Sequence, residues 1–114
     1  MEAVNIRNID DEFFDNFTSP HTRSNYRNDL EQFFTYLEAH YSGVKKMVDI
    51  ERKMVLKFRL YLEDLGGVHG DSAAPKTIAR KLSAISSYFN VLAEKNLIPF
   101  NPVDSIKRPR KEVK

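Results

Sequence analysis

Apolar residues recur at helical spacing in four segments of the chain, and no stretch shows the alternation of a half-buried strand. The first segment is short, about residues 9–17, with Ile9, Phe13, Phe14 and Phe17 on one side. In the second, Ser19 is placed to cap a helix and Pro20 suits its first position. From there Tyr26, Leu30, Phe33, Phe34, Leu37 and Tyr41 advance by steps of four, three and one, which gathers them in one stripe. The third segment runs from about Ile50 to Leu65, with Met54, Phe58, Tyr61 and Leu65 in register and Gly66-Gly67 to end it. The fourth, about residues 74–95, repeats Ile78, Leu82, Ile85, Phe89 and Leu92 at four-three-four-three spacing. The pattern predicts an all-α chain whose stripes meet in one core.

Between these segments, "SGVKK" and "GGVHGDSAAP" are rich in turn formers. Beyond Lys95, Pro99, Pro102 and Pro109 exclude a long helix, and the last eight residues carry five basic side chains against Glu112. The expected organisation is one domain over residues 1–103 and a basic arm or linker over residues 104–114. A length of 114 residues agrees with one core rather than two.

Several classes of function drop out on composition. There is no cysteine, so neither a disulfide framework nor a thiolate metal site is available, and His21, His40 and His69 share no metal-ligand spacing. No metal and no cofactor are expected: the chain has no P-loop, no G-x-S-x-G and no Gly-rich phosphate cradle. Nowhere do about eighteen apolar residues follow one another, and no apolar run follows a basic N-terminal segment. Neither a membrane span nor a signal peptide is therefore expected, and the location expected is cytoplasmic. Tyr26, Tyr41 and Tyr61 fall on core stripes and Tyr88 borders one, which suggests packing with the hydroxyl at the surface rather than a nucleophile. Asp10, Asp11 and Glu12 are adjacent and diverge on a helix, as a capping run does and a cation site does not.

The formal charge of +2 gains meaning when divided along the chain. Residues 1–18 hold five acids against Arg7, a net of −4, which leaves +6 for residues 19–114. Acids favour a helix N-terminus, and the first segment opens with Asp10, Asp11 and Glu12 and the third with Asp49 and Glu51. The second and fourth do the opposite. Residues 19–28 contain no carboxylate but carry Arg23 and Arg27; residues 72–93 contain none and carry Lys76, Arg80 and Lys81. Free N–H groups with added cations suit phosphate, and two such ends suggest a polyanion spanning both.

At about 100° per residue, Lys76, Arg80, Ser83 and Ser87 fall on one side of the fourth helix with Ala84 alongside, opposite the apolar stripe. Long cations followed by small side chains would let a helix lie close in a groove, with Lys or Arg at a phosphate or guanine edge. On the second helix His21, Ser24, Asn25 and Asn28 lie away from the core stripe, with Thr22 nearer the start; Asn can pair with adenine and Ser or Thr can contact phosphate. A cation-bearing helix face is also the ordinary solvent face of a globular protein. The residue chemistry alone leaves these two readings level.

Two stretches then add a resemblance. "SPHTRSNYRNDLEQFFTYL" (residues 19–37) and "KTIARKLSAISSYFNVLAEKNLIPFNPV" (residues 76–103), with "DIERKMVLKFRLYLEDLGG" between them, resemble the N-terminal core-binding domain of the tyrosine recombinases, the phage integrase family. The signal is the order of elements: a Thr-x-x-x-Tyr-x-x-x-Leu-x-x-Phe helix, an Asp-Ile-led helix, a Thr-Ile-x-x-x-Leu-Ser-x-Ile helix, then Asn-Pro-Val and a basic linker.

The resemblance implies a SAM-like orthogonal bundle of four to five helices that forms half of a clamp around double-stranded DNA. The second and fourth helices would face the major groove. Carried over residue by residue, the resemblance implies contacts from His21, Thr22, Ser24 and Asn25 on one and Lys76, Thr77 and Arg80 on the other; the charge and face arguments above add Arg23, Arg27, Asn28, Lys81, Ser83 and Ser87 as candidates. The family's catalytic residues lie in a following domain, so this chain is expected to be a non-catalytic part of a strand-transferring recombinase, bacterial or phage-encoded. It would be monomeric in isolation and meet other recombinase protomers in a synaptic complex, with the acidic first helix turned away from DNA and toward assembly. Two alternatives stand beside this reading. A helix-turn-helix regulator would join its reading helices by a short turn, whereas here a whole helix and two loops intervene. A protein-interaction module of the SAM or death-domain type would share the architecture without binding DNA.

Overall fold

A computed structural model of the chain describes residues 5–65 and 75–103. Its elements follow in the order 3₁₀ segment (Asp11–Asn16), helix α1 (Pro20–His40), 3₁₀ turn (Met47–Asp49), helix α2 (Arg52–Leu65) and helix α3 (Pro75–Glu94). The expected all-α class holds. Among the described residues the only extended pairing is an isolated bridge between Asn5 and Lys46, where the Ile6 N–H donates to the Lys45 carbonyl at 3.0 Å.

Helix α1 begins as its sequence dictates. The Ser19 hydroxyl accepts from the Thr22 N–H at 3.3 Å, and Pro20, with no N–H to satisfy, occupies the first turn. Leu30, Phe33, Phe34 and Leu37 are buried completely, and Tyr26 and Tyr41 pack at the edge. The ring of Phe33 meets Phe58 of α2 at 5.0 Å and Phe89 of α3 at 6.4 Å, both edge to face. That junction is the centre of the core.

Helix α3 packs against both α1 and α2. Its stripe of Ile78, Leu82, Ile85, Phe89 and Leu92 is buried as expected, but burial extends further around the helix to Ala84, Ser86 and Tyr88. Ala84, placed beside the polar stripe by periodicity, is a core residue, because two neighbouring helices cover more of α3 than one apolar stripe. Tyr88 is likewise buried, at 1% exposure, and its hydroxyl is not at the surface. It accepts the Asp10 N–H at 2.9 Å, and burial raises its pKa above the ordinary phenol value.

The end of α3 is a Schellman motif. Leu97 N–H donates to Leu92 O at 2.9 Å and Asn96 N–H to Ala93 O at 3.0 Å, with Asn96 at φ 62°. The chain then returns to the helix through Asn101. Its buried amide donates to Ser86 O (3.0 Å), Ser86 Oγ (3.1 Å) and Asn90 Oδ1 (2.8 Å), and its oxygen accepts from the Val103 N–H at 2.8 Å. This is the structural role of Asn-Pro-Val: it closes the bundle and buries Val103.

Two expected elements differ. The first segment is a six-residue 3₁₀ stretch rather than an α-helix over 9–17, since the Asp10 carboxylate caps the Glu12 N–H and the Phe17 N–H closes back on Phe14 O at 3.1 Å. In α2 the inward face carries Val55 and Leu62 as well as Met54 and Phe58, with Tyr61 only half-buried, so the stripe is rotated from the one expected. The Gly66-Gly67 stop, His69 and the arm over 104–114 lie outside the described residues.

Candidate nucleic-acid interface

The two basic helix starts, alike in sequence, are used differently. At α1 two of the first N–H groups are taken up locally: Ser19 takes the Thr22 N–H through its hydroxyl and the Arg23 N–H, at 3.1 Å, through its carbonyl. Arg23 Nη1 donates to the Phe17 and Thr18 carbonyls. Arg27, one turn on, pairs with Asp11 at 3.0 Å and lies 4.3 Å from the Phe14 ring centroid. Arg27 therefore faces the acidic 3₁₀ segment, where it and Asp11 neutralise one another, and Arg23 faces the residues that follow the segment.

The opposite flank of α1 turns toward α3 through Asp29. This carboxylate is 1% exposed, and one oxygen, Oδ1, accepts from both Arg80 Nη2 and Lys81 Nζ, each at 2.9 Å. Its other oxygen, Oδ2, is buried with no hydrogen-bond partner. A buried charge is tolerated only when paired, so Asp29 fixes the first turns of α3 against the middle of α1. Asn25 lies one turn before Asp29 on the same side, and Thr22 a further turn back.

Each candidate contact can now be placed. His21, Ser24 and Asn28 are exposed on α1, with Thr22 and Asn25 half-buried on the flank shared with Asp29. On α3, Lys76 is exposed and has no bonded partner among the described residues, and Thr77 is half-buried. Arg80 and Lys81 share Asp29, but their side chains differ in exposure, 43% against 17%. Ser83 and Ser87 are half-buried, so the small half of the stripe is partly covered. The structure thus brings Arg80 and Lys81 to the flank of α1 that carries Asp29, Asn25 and Thr22, and turns Arg23 and Arg27 away from it.

Asp29 is the residue that pattern reading passed over. It stands one position beyond the carboxylate-free stretch of residues 19–28, adjoining Leu30 on the core stripe. An acid at the edge of an apolar stripe needs a cation from another element, and that requirement was the available signal.

A second ionic cluster lies at the other end of α3. Lys95 Nζ reaches both Asp10 Oδ2 and Glu12 Oε1, the latter at 2.7 Å, and these bonds raise the lysine pKa well above its ordinary range. The Asp10 carboxyl is lowered, chiefly by the Lys95 hydrogen bond. On the outer side of α1, Arg7 forms a two-pronged pair with Glu38 at 2.8 Å and also reaches Thr35 Oγ1 at 3.0 Å. Among the described residues no group of His, Asp and Glu could hold a metal, and no helix is long and apolar enough to cross a membrane.

A compact helical bundle closed by Asn101 onto α3 is the class of domain that these elements define. Residues 13–96 match the family described as "Phage integrase, N-terminal SAM-like domain", and the chain belongs to that family. It is 34% identical over 94 residues to "Tyrosine recombinase XerC" of Syntrophus aciditrophicus (strain SB), covering 82% of this chain and 30% of that protein. It is 36% identical over 92 residues to "Tyrosine recombinase" of Thermosipho africanus (strain TCF52B), covering 81% and 30%. A third relative, "Tyrosine recombinase XerC" of Chlorobaculum parvum (strain DSM 263 / NCIMB 8327), is 33% identical over 98 residues, covering 84% and 28%. The chain spans less than a third of the length of these relatives. No solved structure matches it significantly.

Proposed function

We propose that this chain is a DNA-binding domain of a site-specific tyrosine recombinase and that it holds double-stranded DNA against the start of α3 and the adjoining polar flank of α1. The observation that carries the reading is the outward face of α3. It has no carboxylate through residue 93, its Lys76 and Arg80 are exposed, and it adjoins a flank of α1 that offers Thr22 and Asn25, with His21, Ser24 and Asn28 exposed nearby. Membership of the phage integrase SAM-like family and relatives named as tyrosine recombinases support a DNA duplex as the polyanion.

In this arrangement Lys76 neutralises phosphate, Arg80 reaches a phosphate or a guanine edge, and the Asn, Ser and Thr side chains fix register on the backbone. Strand cleavage would belong to another part of the recombinase. Other protomers would join it at the recombination site, with the acidic 3₁₀ segment turned to assembly rather than to DNA.

Titrating a fluorescent duplex at several salt concentrations tests the reading. Mainly electrostatic binding predicts a Kd of about 10⁻⁴–10⁻⁶ M at physiological salt, weakening steeply as salt rises. Absence of binding at low salt, or binding indifferent to salt, would refute it; self-association without DNA binding would favour the interaction-module alternative.

A further inference from the structure

Asp29 holds more positive charge than it needs. Lys81, largely covered at 17% exposure, is enough to neutralise a single carboxylate, and Arg80 adds a second cation on the same oxygen while remaining 43% exposed. The three groups together carry a net charge of +1. Only Nη2 of Arg80 is bonded to Asp29, which leaves the rest of a planar guanidinium with five N–H donors available on the exposed side. A buried ion pair is weak evidence for stability, because its desolvation offsets much of its attraction. The surplus, outward-facing arginine calls for another explanation.

Resting on the DNA-binding reading above, we propose that Asp29 is a positioning residue for duplex recognition: it pins one edge of Arg80 so that the remaining guanidinium donors are presented, already ordered, to an acceptor oxygen or nitrogen on DNA. An unrestrained arginine loses rotamer freedom when it binds, and prior ordering removes that cost. Lys81 keeps its own bond to the carboxylate, so Asp29 stays paired while Arg80 engages a second acceptor. Helix α1 thereby determines how α3 presents its arginine.

The sign of one substitution separates this role from bulk electrostatics. Replacing Asp29 by neutral Asn removes a negative charge near a polyanion, and charge counting alone predicts tighter binding. Positioning predicts weaker binding, by about two- to tenfold, the factor that ordering one long side chain carries. The experiment measures Kd for the wild-type chain, Asp29→Asn, Arg80→Ala and the double variant, with circular dichroism confirming helicity at the assay temperature. Two fluorescent duplexes serve as probes, one of mixed sequence and one of alternating dA and dT. The expected result is that Asp29→Asn weakens binding in the wild-type background and does not weaken it once Arg80 is Ala, where only the lost negative charge is left to act. Coupling on the mixed duplex alone assigns the acceptor as a guanine edge; coupling on both assigns it to an acceptor that every duplex presents, a phosphate oxygen or a base edge other than guanine's.

Unchanged or tighter binding by Asp29→Asn, or equal loss in both backgrounds, would overturn the positioning role while leaving DNA binding intact. Absence of wild-type binding would overturn both. A measurement that needs no substitution guards against an unfolded variant: nitrogen-15 spectra of the Arg80 guanidinium in the wild-type chain. One Nη group should be slowed in rotation without DNA and stay so when duplex is added, while other guanidinium resonances shift. Loss of the slowed Nη group on adding DNA, or no shift anywhere in the guanidinium, would equally refute the proposal.

Discussion

The two ends of α3 carry three-charge clusters of opposite composition. Near its start one buried acid, Asp29, holds two cations, Arg80 and Lys81; just beyond its end one cation, Lys95, holds two acids, Asp10 and Glu12. The first cluster has a net charge of +1 and the second −1, the reverse of what the helix macrodipole favours at each end. They also differ in burial, because Asp29 is 1% exposed whereas Lys95 and Glu12 lie at the surface. A cation surplus at a helix start, with Asp29 buried and Arg80 exposed, is the feature on which the proposed function rests. The acid surplus at the other end repels an anion.

The comparison holds only while α3 is a rigid rod that fixes both ends, so the largest effect comes from its core. Phe89 is 1% exposed and packs edge to face on Phe33. Phe89→Ala should cost about 3–5 kcal/mol in chemical denaturation, as aromatic truncation in a filled core does. A loss below about 1 kcal/mol would mean that α3 is held by its ionic ends rather than by the aromatic junction.

The rod itself was legible in sequence, and the difference between its ends was only partly so. Ile78, Leu82, Ile85, Phe89 and Leu92 announce the buried face because helical period and burial coincide in an amphipathic element. The Ser19 cap and Pro20 likewise depend on neighbours a few residues away. Ala84, Ser86 and Tyr88 could not be placed that way, since their burial comes from two other helices closing over α3. The ionic clusters are more distant still: Asp29 meets Arg80 across 51 positions and Asp10 meets Lys95 across 85. Charge counting found the acid-free starts but credited both equally. Only the fold reveals that Arg23 and Arg27 turn to Phe17, Thr18, Asp11 and Phe14 and Arg80 to the buried Asp29, while Lys76 is exposed with no bonded partner among the described residues.

A substitution that removes one lysine from each end sharpens the contrast. Under the proposed function, Lys76→Ala should weaken binding to every duplex and reduce the salt slope by about one unit, the signature of one lost phosphate contact. Lys95→Met removes the same charge from the closed end and should leave the slope where it was. If both variants lower the slope alike, the duplex senses net charge rather than a surface, and the assignment of α3's start as the interface fails.

The smallest effect is the pH response of the closed end, and its sign follows from the two partners. Asp10 has a folded pKa below its ordinary 3.8, so its contribution to stability is fully present above that value and is lost as the pH falls through the depressed one. Lys95 has a folded pKa raised above its ordinary 10.5, so its share is present below that value and fades only as the pH rises through the elevated one. Between these limits the pair is fully formed. Lys95→Met should therefore be less stable than the wild-type chain by a constant increment across neutral pH, with the increment shrinking as urea denaturation is repeated at pH values below the ordinary carboxylate range. Because the cluster is exposed and screened by salt, the increment should also shrink in high salt at neutral pH. The buried Asp29 cluster is screened much less, so the destabilisation caused by Asp29→Asn should persist there. An Asp29→Asn effect as salt-sensitive as that of Lys95→Met would erase the distinction between an anchored end and a surface one.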